Sequence, residues 1–344
     1  MGETLLPDKL MTLVLTFLGS LLLSLALCWP VQKFLQKKDL WDKPNDRSSH
    51  KVDTLRGGGL GPLTISVCGI LIFVIPENLE LGLAWLGGVS VLSWISFRDD
   101  CQEVSIGSRL AAQVISVVPI LWVLEFEETP VIKLILLAFI LVAYINFVNF
   151  MDGINGLVVG LMILIPAGVL CVAPGVIPPI KYMACVLGGA AGGFLPFNFP
   201  KAKMFLGDVG SITLGFNSAV ILLWIVSSGS GKSDSWLVAL IPMYFFSEGV
   251  WVILRRMIKG EKWWHPHREH FYQRLVRVGF SHTKVSVLLW GGQILMTVTL
   301  WVSLESSWGF AKTCLLCLSI WMLIFIYAEF TFRKHVRASA SSVQ

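Results

Sequence analysis

Charge is what this sequence has least of. Asp, Glu, Lys and Arg make up 14% of its 344 residues, against about one-quarter in a soluble globular chain. Apolar stretches recur along the whole length, which argues against a soluble domain held by one anchor. A leader-peptide pattern is missing as well. The first stretch, Leu10 to Trp29, runs twenty residues without a charge and no small-residue cleavage site follows it, so it reads as a retained span. Cysteines are few and scattered: Cys28, Cys68, Cys101, Cys171, Cys185, Cys314 and Cys317 fall mostly in apolar runs, where a thiol behaves as a small hydrophobe and no disulfide framework is indicated. The CxxC of Cys314 and Cys317 lies in the last apolar stretch with no histidine or partner pair nearby, which argues against zinc or redox use. Internal repeats and low-complexity tracts are absent too.

What is there is hydrophobic: 55% of the residues, with a mean hydropathy of +0.73. Apolar runs of span length predict eleven transmembrane helices, at 10–29, 59–76, 81–97, 110–125, 133–150, 157–175, 181–198, 209–229, 236–254, 284–304 and 311–330. The expected fold is therefore an all-α polytopic transmembrane bundle, a single membrane domain over 1–344. Its loops at 30–58, 98–109, 151–156, 199–208 and 255–284, with the C-terminal tail, hold 22 of the 27 basic residues. Positive residues stay inside, so the N-terminus is expected outside and the C-terminus in the cytosol. The same rule accounts for the net charge of +5 without a nucleic-acid partner.

Acidic residues then fall on the cytosolic side: Asp99 and Asp100 close the third span, Asp152 the fifth, and Asp208 opens the eighth. Taken singly, each reads as a solvated cap at the interface. Their surroundings argue for more. FLGDVGS (205–211) sets Asp208 between glycines at a span entry, where Ser211 and free backbone N–H groups can cradle an anion. NFVNFMDGINGL (146–157) is a polar turn at membrane depth, tolerated only where it lines a cavity or is buried in protein. DKPNDRSSHKVDTLRGGGLG (42–61) supplies Arg47, His50 and Arg56, then three glycines expected to permit close phosphate approach. Carboxylates converging beside Arg and His suit an Mg²⁺ that bridges a diphosphate. Glu248, deep in the ninth span, should face protein or a cavity; Arg255 or Arg256 is its expected partner.

These segments, in this order from about Asp42 to His282, resemble the polyprenyl-phosphate N-acetylhexosamine-1-phosphate transferases. That family starts O-antigen, enterobacterial common antigen, teichoic acid and peptidoglycan lipid intermediates. Its paired aspartates fall on Asp99 and Asp100, and its NxxNxxDGxxGL motif on Asn146, Asn149, Asp152 and Gly153. Its FxGDxGS motif falls on Asp208, and its histidine loop on His265, His267 and His270. That loop and the RSSH and RGGG pieces lean toward the O-antigen and common-antigen branches. The chain departs from the pattern at Asn155, where many members carry a second aspartate, and at Arg98, where small or apolar residues are usual and which reads here as an interfacial cation. An HxHxxH zinc site is disfavoured, since Pro266 disrupts helical spacing and no cysteine supports it.

The resemblance implies transfer of a sugar-1-phosphate from a UDP-sugar to undecaprenyl or another polyprenyl phosphate at the bacterial inner membrane, with membrane lipid around the chain. Asp208, with Asp100 as second candidate, is expected to hold Mg²⁺, Mn²⁺ being the alternative ion. Asp99, Asp100, His265, His267 and His270 are the expected catalytic residues. Arg47, His50, Arg56, Asn146, Asn149, Asp152 and Asn155 are the expected substrate contacts. Two alternatives stand beside it. A secondary transporter would place its acids at the midplane, usually in repeated halves. A CDP-alcohol transferase would carry DGxxARxxG, where this chain reads DGINGL. The sugar and the oligomeric state, a homodimer included, are not legible.

Overall fold

A backbone crossing lipid must satisfy every N–H and C=O internally, and this one does so almost wholly as helix. The structure is a computed structural model that describes residues 7–44, 52–125, 129–228, 236–262, 267–306 and 308–341. The helices are α1 (Pro7–Lys37), α2 (Leu60–Gly69, continued by a π-turn Ile70–Val74), α3 (Leu79–Cys101), α4 (Ile106–Glu125), α5 (Val131–Phe150), α6 (Leu157–Val172) and α7 (Pro178–Asn198). They continue as α8 (Gly207–Ser227), α9 (Trp236–Leu240), α10 (Met243–Ile258), α11 (Phe271–Arg277), α12 (His282–Glu305) and α13 (Phe310–Ser341). Local signals set several starts. Asn78 accepts the Leu81 N–H ahead of α3, Ser281 accepts the Lys284 N–H ahead of α12, and Pro178 opens α7, where its missing N–H costs nothing.

Eight of these helices are long and apolar enough to cross a membrane, and Leu60–Val74 and Leu157–Val172 are shorter apolar helices. The expectation of eleven full spans is corrected accordingly. The stretch expected as a ninth span is two helices, α9 and α10, separated at Ile241 and Pro242, because hydropathy counts apolar side chains and takes no account of a proline that breaks the ladder. The sixteen residues of α6 reach about 24 Å at 1.5 Å per residue, short of a hydrocarbon core of about 30 Å. The fourth stretch, the shortest by sequence, is a full twenty-residue helix.

The core is built around α8. Every residue from Val209 to Ile225 is buried, as expected of a helix that is hydrophobic all round. Helices α3, α5, α7 and α2 enclose it. Large apolar side chains face outward instead on α1, α4, α5, α12 and α13, among them Leu22, Trp122, Phe139, Leu295 and Leu323, a surface suited to lipid.

A two-stranded antiparallel pair, β1 (Trp41–Asp42) with β2 (Thr54–Leu55), sets Trp41 opposite Leu55 and Asp42 opposite Thr54. Leu55 also bridges Met204 in parallel, and its carbonyl accepts the Phe205 N–H at 2.7 Å. The segment ahead of α2 is thereby stitched to the segment ahead of α8, which delivers Arg56 to the entrance of that central helix.

Candidate functional site

One end of the bundle gathers the C-terminal ends of α3 and α5 and the N-terminal ends of α4 and α8 around Arg56. Asp208 is at its centre. Its Oδ1 accepts from Arg56 at 3.0 Å and from the Asn149 amide at 3.1 Å. Its Oδ2 lies 3.7 Å from Arg109, too long for a hydrogen bond, and its carboxyl stands beside that of Asp99. Asn149 also donates to Ser211 Oγ at 2.9 Å, so the start of α8 is held against the end of α5. Of the acids expected to converge, Asp99, Asp100 and Asp208 meet at this end of the bundle, with Asn149 beside them.

Asp100 has a different job from its neighbour. Its side chain is fully buried; its two oxygens accept the Asp208 N–H at 2.8 Å and the Val209 N–H at 3.0 Å, and Arg56 lies 2.7 Å away. A carboxylate on the first free amides of a helix satisfies donors that have no partner within the helix and meets the positive end of its dipole. Asp99 accepts the Val104 N–H at 2.7 Å and Arg109 at 2.9 Å, with its carboxyl beside that of Asp208. Arg109, counted by sequence only among the positive loop residues, thus belongs to the site. A lone basic residue at the fourth position of a mostly apolar helix was its signal in the sequence.

Two of the three glycines of RGGG make a close approach to backbone. Gly58 and Gly59 donate to the Phe205 and Leu206 carbonyls at 2.9 Å, and a Cβ on Gly59 would stand 2.1 Å from the Gly210 Cα. Gly207 has φ +73° and a Cβ there would stand 2.7 Å from Asp100 Oδ2. Glycine at the first place lets α2 and α8 meet backbone to backbone, and at the second it leaves room for the Asp100 carboxylate against the start of α8.

The Asp152 side chain has no hydrogen bond or ion pair among the described residues. Burial, then the charges of Asp208 and Asp100, push its carboxyl well above the usual carboxylate range, against the pull of Arg56. Arg56 shows the converse: burial alone would lower its guanidinium, and Asp208, Asp100 and Asp42 hold it above its ordinary value. Carboxyl groups therefore outnumber the two guanidinium groups here, and a hard divalent cation would offset the negative charge that Arg56 and Arg109 leave. Among the described residues no three His, Cys, Asp or Glu side chains form a metal cage. Mg²⁺ needs none, since it takes one or two carboxylates plus waters and substrate phosphates. Asp208 Oδ2 and the unpartnered Asp152 are the groups that fit it; Asp100, with both oxygens engaged, fits less well than expected.

Two cavities flank this cluster. The first, about 450 Å³, lies between α4, α5 and α10 and is lined by Arg109, Asn146, Asn149, His267 and His270 together with apolar side chains such as Leu110. Asn146 exchanges amide hydrogen bonds with Gln113 across it, at 2.6 and 3.3 Å. The second, about 680 Å³, is lined by Thr54, Asn155, Lys201, Lys203, Phe205 and His282. Asn155 donates to the Pro200 carbonyl at 3.0 Å and its own carbonyl accepts from Ser286, so it lies apart from the aspartates. His267, pushed down to about 4 by burial and by neighbouring His270 and Arg256, is neutral at pH 7. Arg47, His50 and His265 lie outside the described residues.

Glu248 departs from expectation. It is wholly buried, accepts the Phe271 N–H at 2.7 Å and lies 3.6 Å from His270 Nδ1. Arg255 and Arg256 pair instead with Glu329, Glu269 and Glu261. Arg98 lies over the Trp94 ring at 5.8 Å, the contact of an interfacial cation.

The sequence profile of glycosyl transferase family 4 matches residues 83–226, the stretch from α3 to the end of α8. The chain is 25% identical over 325 residues to the probable undecaprenyl-phosphate N-acetylglucosaminyl 1-phosphate transferase of Bacillus subtilis, covering 87% of this chain and 89% of that one. It is 26% identical over 294 residues to the decaprenyl-phosphate N-acetylglucosaminephosphotransferase of Mycobacterium leprae, covering 72% and 73%. Similarity extends to the phospho-N-acetylmuramoyl-pentapeptide-transferase of Leuconostoc citreum, 28% identical over 244 residues.

Proposed function

This chain belongs to glycosyl transferase family 4, and from that membership we propose that it transfers N-acetylglucosamine 1-phosphate from UDP-N-acetylglucosamine to a polyprenyl phosphate. UMP is released, and the lipid-linked diphosphate sugar begins a cell-envelope glycan. Relatives named for undecaprenyl and decaprenyl acceptors support this substrate class. The observation that carries the reading is Asp208, set at the entrance of α8 between two arginines, with its Oδ2 beyond hydrogen-bond distance of either.

The two cavities divide the reactants by chemistry. The apolar one between α4 and α10 suits the lipid end of polyprenyl phosphate, with Arg109 and Asn149 at its polar end. The one with Lys201, Lys203, Asn155 and the Phe205 ring suits a nucleotide diphosphate. A phosphate monoester has its second pKa at about 6, so the attacking oxygen is already largely ionised and needs alignment more than a strong base. Asp99, whose oxygens hold Val104 and Arg109, acts by aiming Arg109 at that phosphate. Arg56, tied to Asp100 and Asp208, offsets charge on the leaving UMP. Asp208, with Asp152, would hold Mg²⁺, which would supply neutralisation of diphosphate charge. We place the site at the cytosolic surface of a bacterial inner membrane, where UDP-sugars are available. A transporter would want its acids at the midplane; here they lie at helix ends.

The test is Mg²⁺-dependent UMP release by purified protein given UDP-N-acetylglucosamine and undecaprenyl phosphate. Wild-type protein is expected to release UMP and Asp208→Asn to lose that activity. Full activity of Asp208→Asn would remove the metal assignment, and no release by wild type from any UDP-sugar would remove the function.

A further inference from the structure

The buried titratable groups that this mechanism leaves unused gather behind the apolar cavity: Glu248 of α10, with His267 and His270 of the segment leading into α11. Glu248 Oε1 is engaged by the Phe271 N–H and the carboxylate stands beside the Tyr244 hydroxyl, while Glu248 Oε2, His270 Nδ1 and His267 Nδ1 are shut off from solvent without a hydrogen bond of ordinary geometry. Three orphaned polar atoms in one place are costly unless a ligand or a bound geometry uses them. The His267 and His270 rings are 5.0 Å apart, Tyr272 stacks on His270 at 5.8 Å, and both imidazoles line the cavity. Tyr272 in turn donates to the Phe150 carbonyl at 3.0 Å, at the turn that carries Asp152.

A carboxylate behind an imidazole decides which ring nitrogen carries the proton. At 3.6 Å the Glu248 to His270 contact is longer than a hydrogen bond, and such contacts tighten when substrate arrives. Resting on the transferase reading, we infer that Glu248 is a positioning residue: it holds a proton on His270 Nδ1 and so turns Nε2 toward the cavity as the acceptor that engages substrate. The carboxylate does not touch substrate itself. Its second contact, the Phe271 N–H, fixes the start of α11 and therefore the rings on either side of it.

The experiment labels the histidines of the full-length protein with ¹⁵N in lipid nanodiscs, His270→Gln identifying the His270 signals. Wild type is expected in the Nδ1–H form; an Nε2–H form in wild type overturns the proposal without reference to activity. Glu248→Gln keeps an acceptor for Phe271 and removes the charge, and is expected to shift the tautomer and lower kcat/KM about 10–100-fold. In the His270→Gln background the same change is expected to add nothing, because the two act as one unit. Independent, multiplying losses would mean a merely structural glutamate and overturn it. If wild type releases no UMP, the transferase reading falls, and the tautomer still decides the Glu248 to His270 contact.

Discussion

Asp208 and Asp100 carry the same side chain and lie on the same Arg56, yet their oxygens are used differently. Asp100 spends both on the α8 amides, whereas Asp208 Oδ2 meets no arginine at hydrogen-bond distance. Asp208→Asn is therefore expected to lower kcat about 10²–10³-fold, the scale of losing one charge-stabilising group, with little change in melting temperature, because the Asn149 and Arg56 contacts can persist. Arg109→Lys keeps the charge but loses the fork that spans Asp99 and the cavity; UMP release is expected to fall about tenfold, and about a hundredfold for Arg109→Ala. Asp152 gives a test with a definite sign. Its carboxyl is raised in the folded protein, so the unfolded chain binds fewer protons above the ordinary range and stability is lost as pH rises. Without Mg²⁺, Asp152→Asn is expected to melt higher than wild type at pH 7, the gap closing near pH 4. His267 runs the other way. Held down to about 4 against an ordinary 6.5, it binds fewer protons folded than unfolded, so it lowers stability as pH falls through that window, and His267→Gln should flatten the decline.

At the scale of elements, the site exists because helices start and stop where they do. The end of α3 caps the start of α8, the end of α5 pins it through Asn149, and the β2 segment brings Arg56 across. Gly59 is the tightest point: with a Cβ at 2.1 Å from the Gly210 Cα, Gly59→Ala forces backbone from backbone. That strain is expected to exceed the roughly 1–3 kcal/mol of ordinary overpacking, to be read as a lower melting temperature and as lost UMP release together. A second assembly ties α10, α11 and α13. Arg274 pairs with Glu329 and Glu269, and Arg255 with Glu329. These pairs tie the segment that carries His267 and His270 to α10 and α13.

For the whole molecule, the consequence of the charge distribution is orientation. With α8 at the centre and lipid-facing side chains outside, the helix ends that build the site share one face, and that face carries the basic loops. Lys201→Cys in a cysteine-free background is expected to react with an impermeant thiol reagent only from the cytosolic side, and Lys133→Cys only from the opposite side. The reverse labelling would sink the orientation while leaving the helix packing intact.

Composition and motif spacing were enough to read a helical membrane bundle, the family resemblance and the acids that would meet, because transmembrane segments and metal-binding carboxylates both impose local chemical demands. The number of full spans was not legible, since Pro242 breaks a run whose hydropathy looks continuous. Nor was the division of labour among Asp99, Asp100, Asp152 and Asp208, which depends on which backbone amides and arginines each carboxylate meets. Arg109 and Glu248 gained their places only through contacts across helices, from α4 to the ends of α3 and α8 and from α10 to the start of α11. Residue types were set by sequence; partners came from packing, because a carboxylate's chemistry in a low-dielectric interior is decided by what stands within a few ångströms of it.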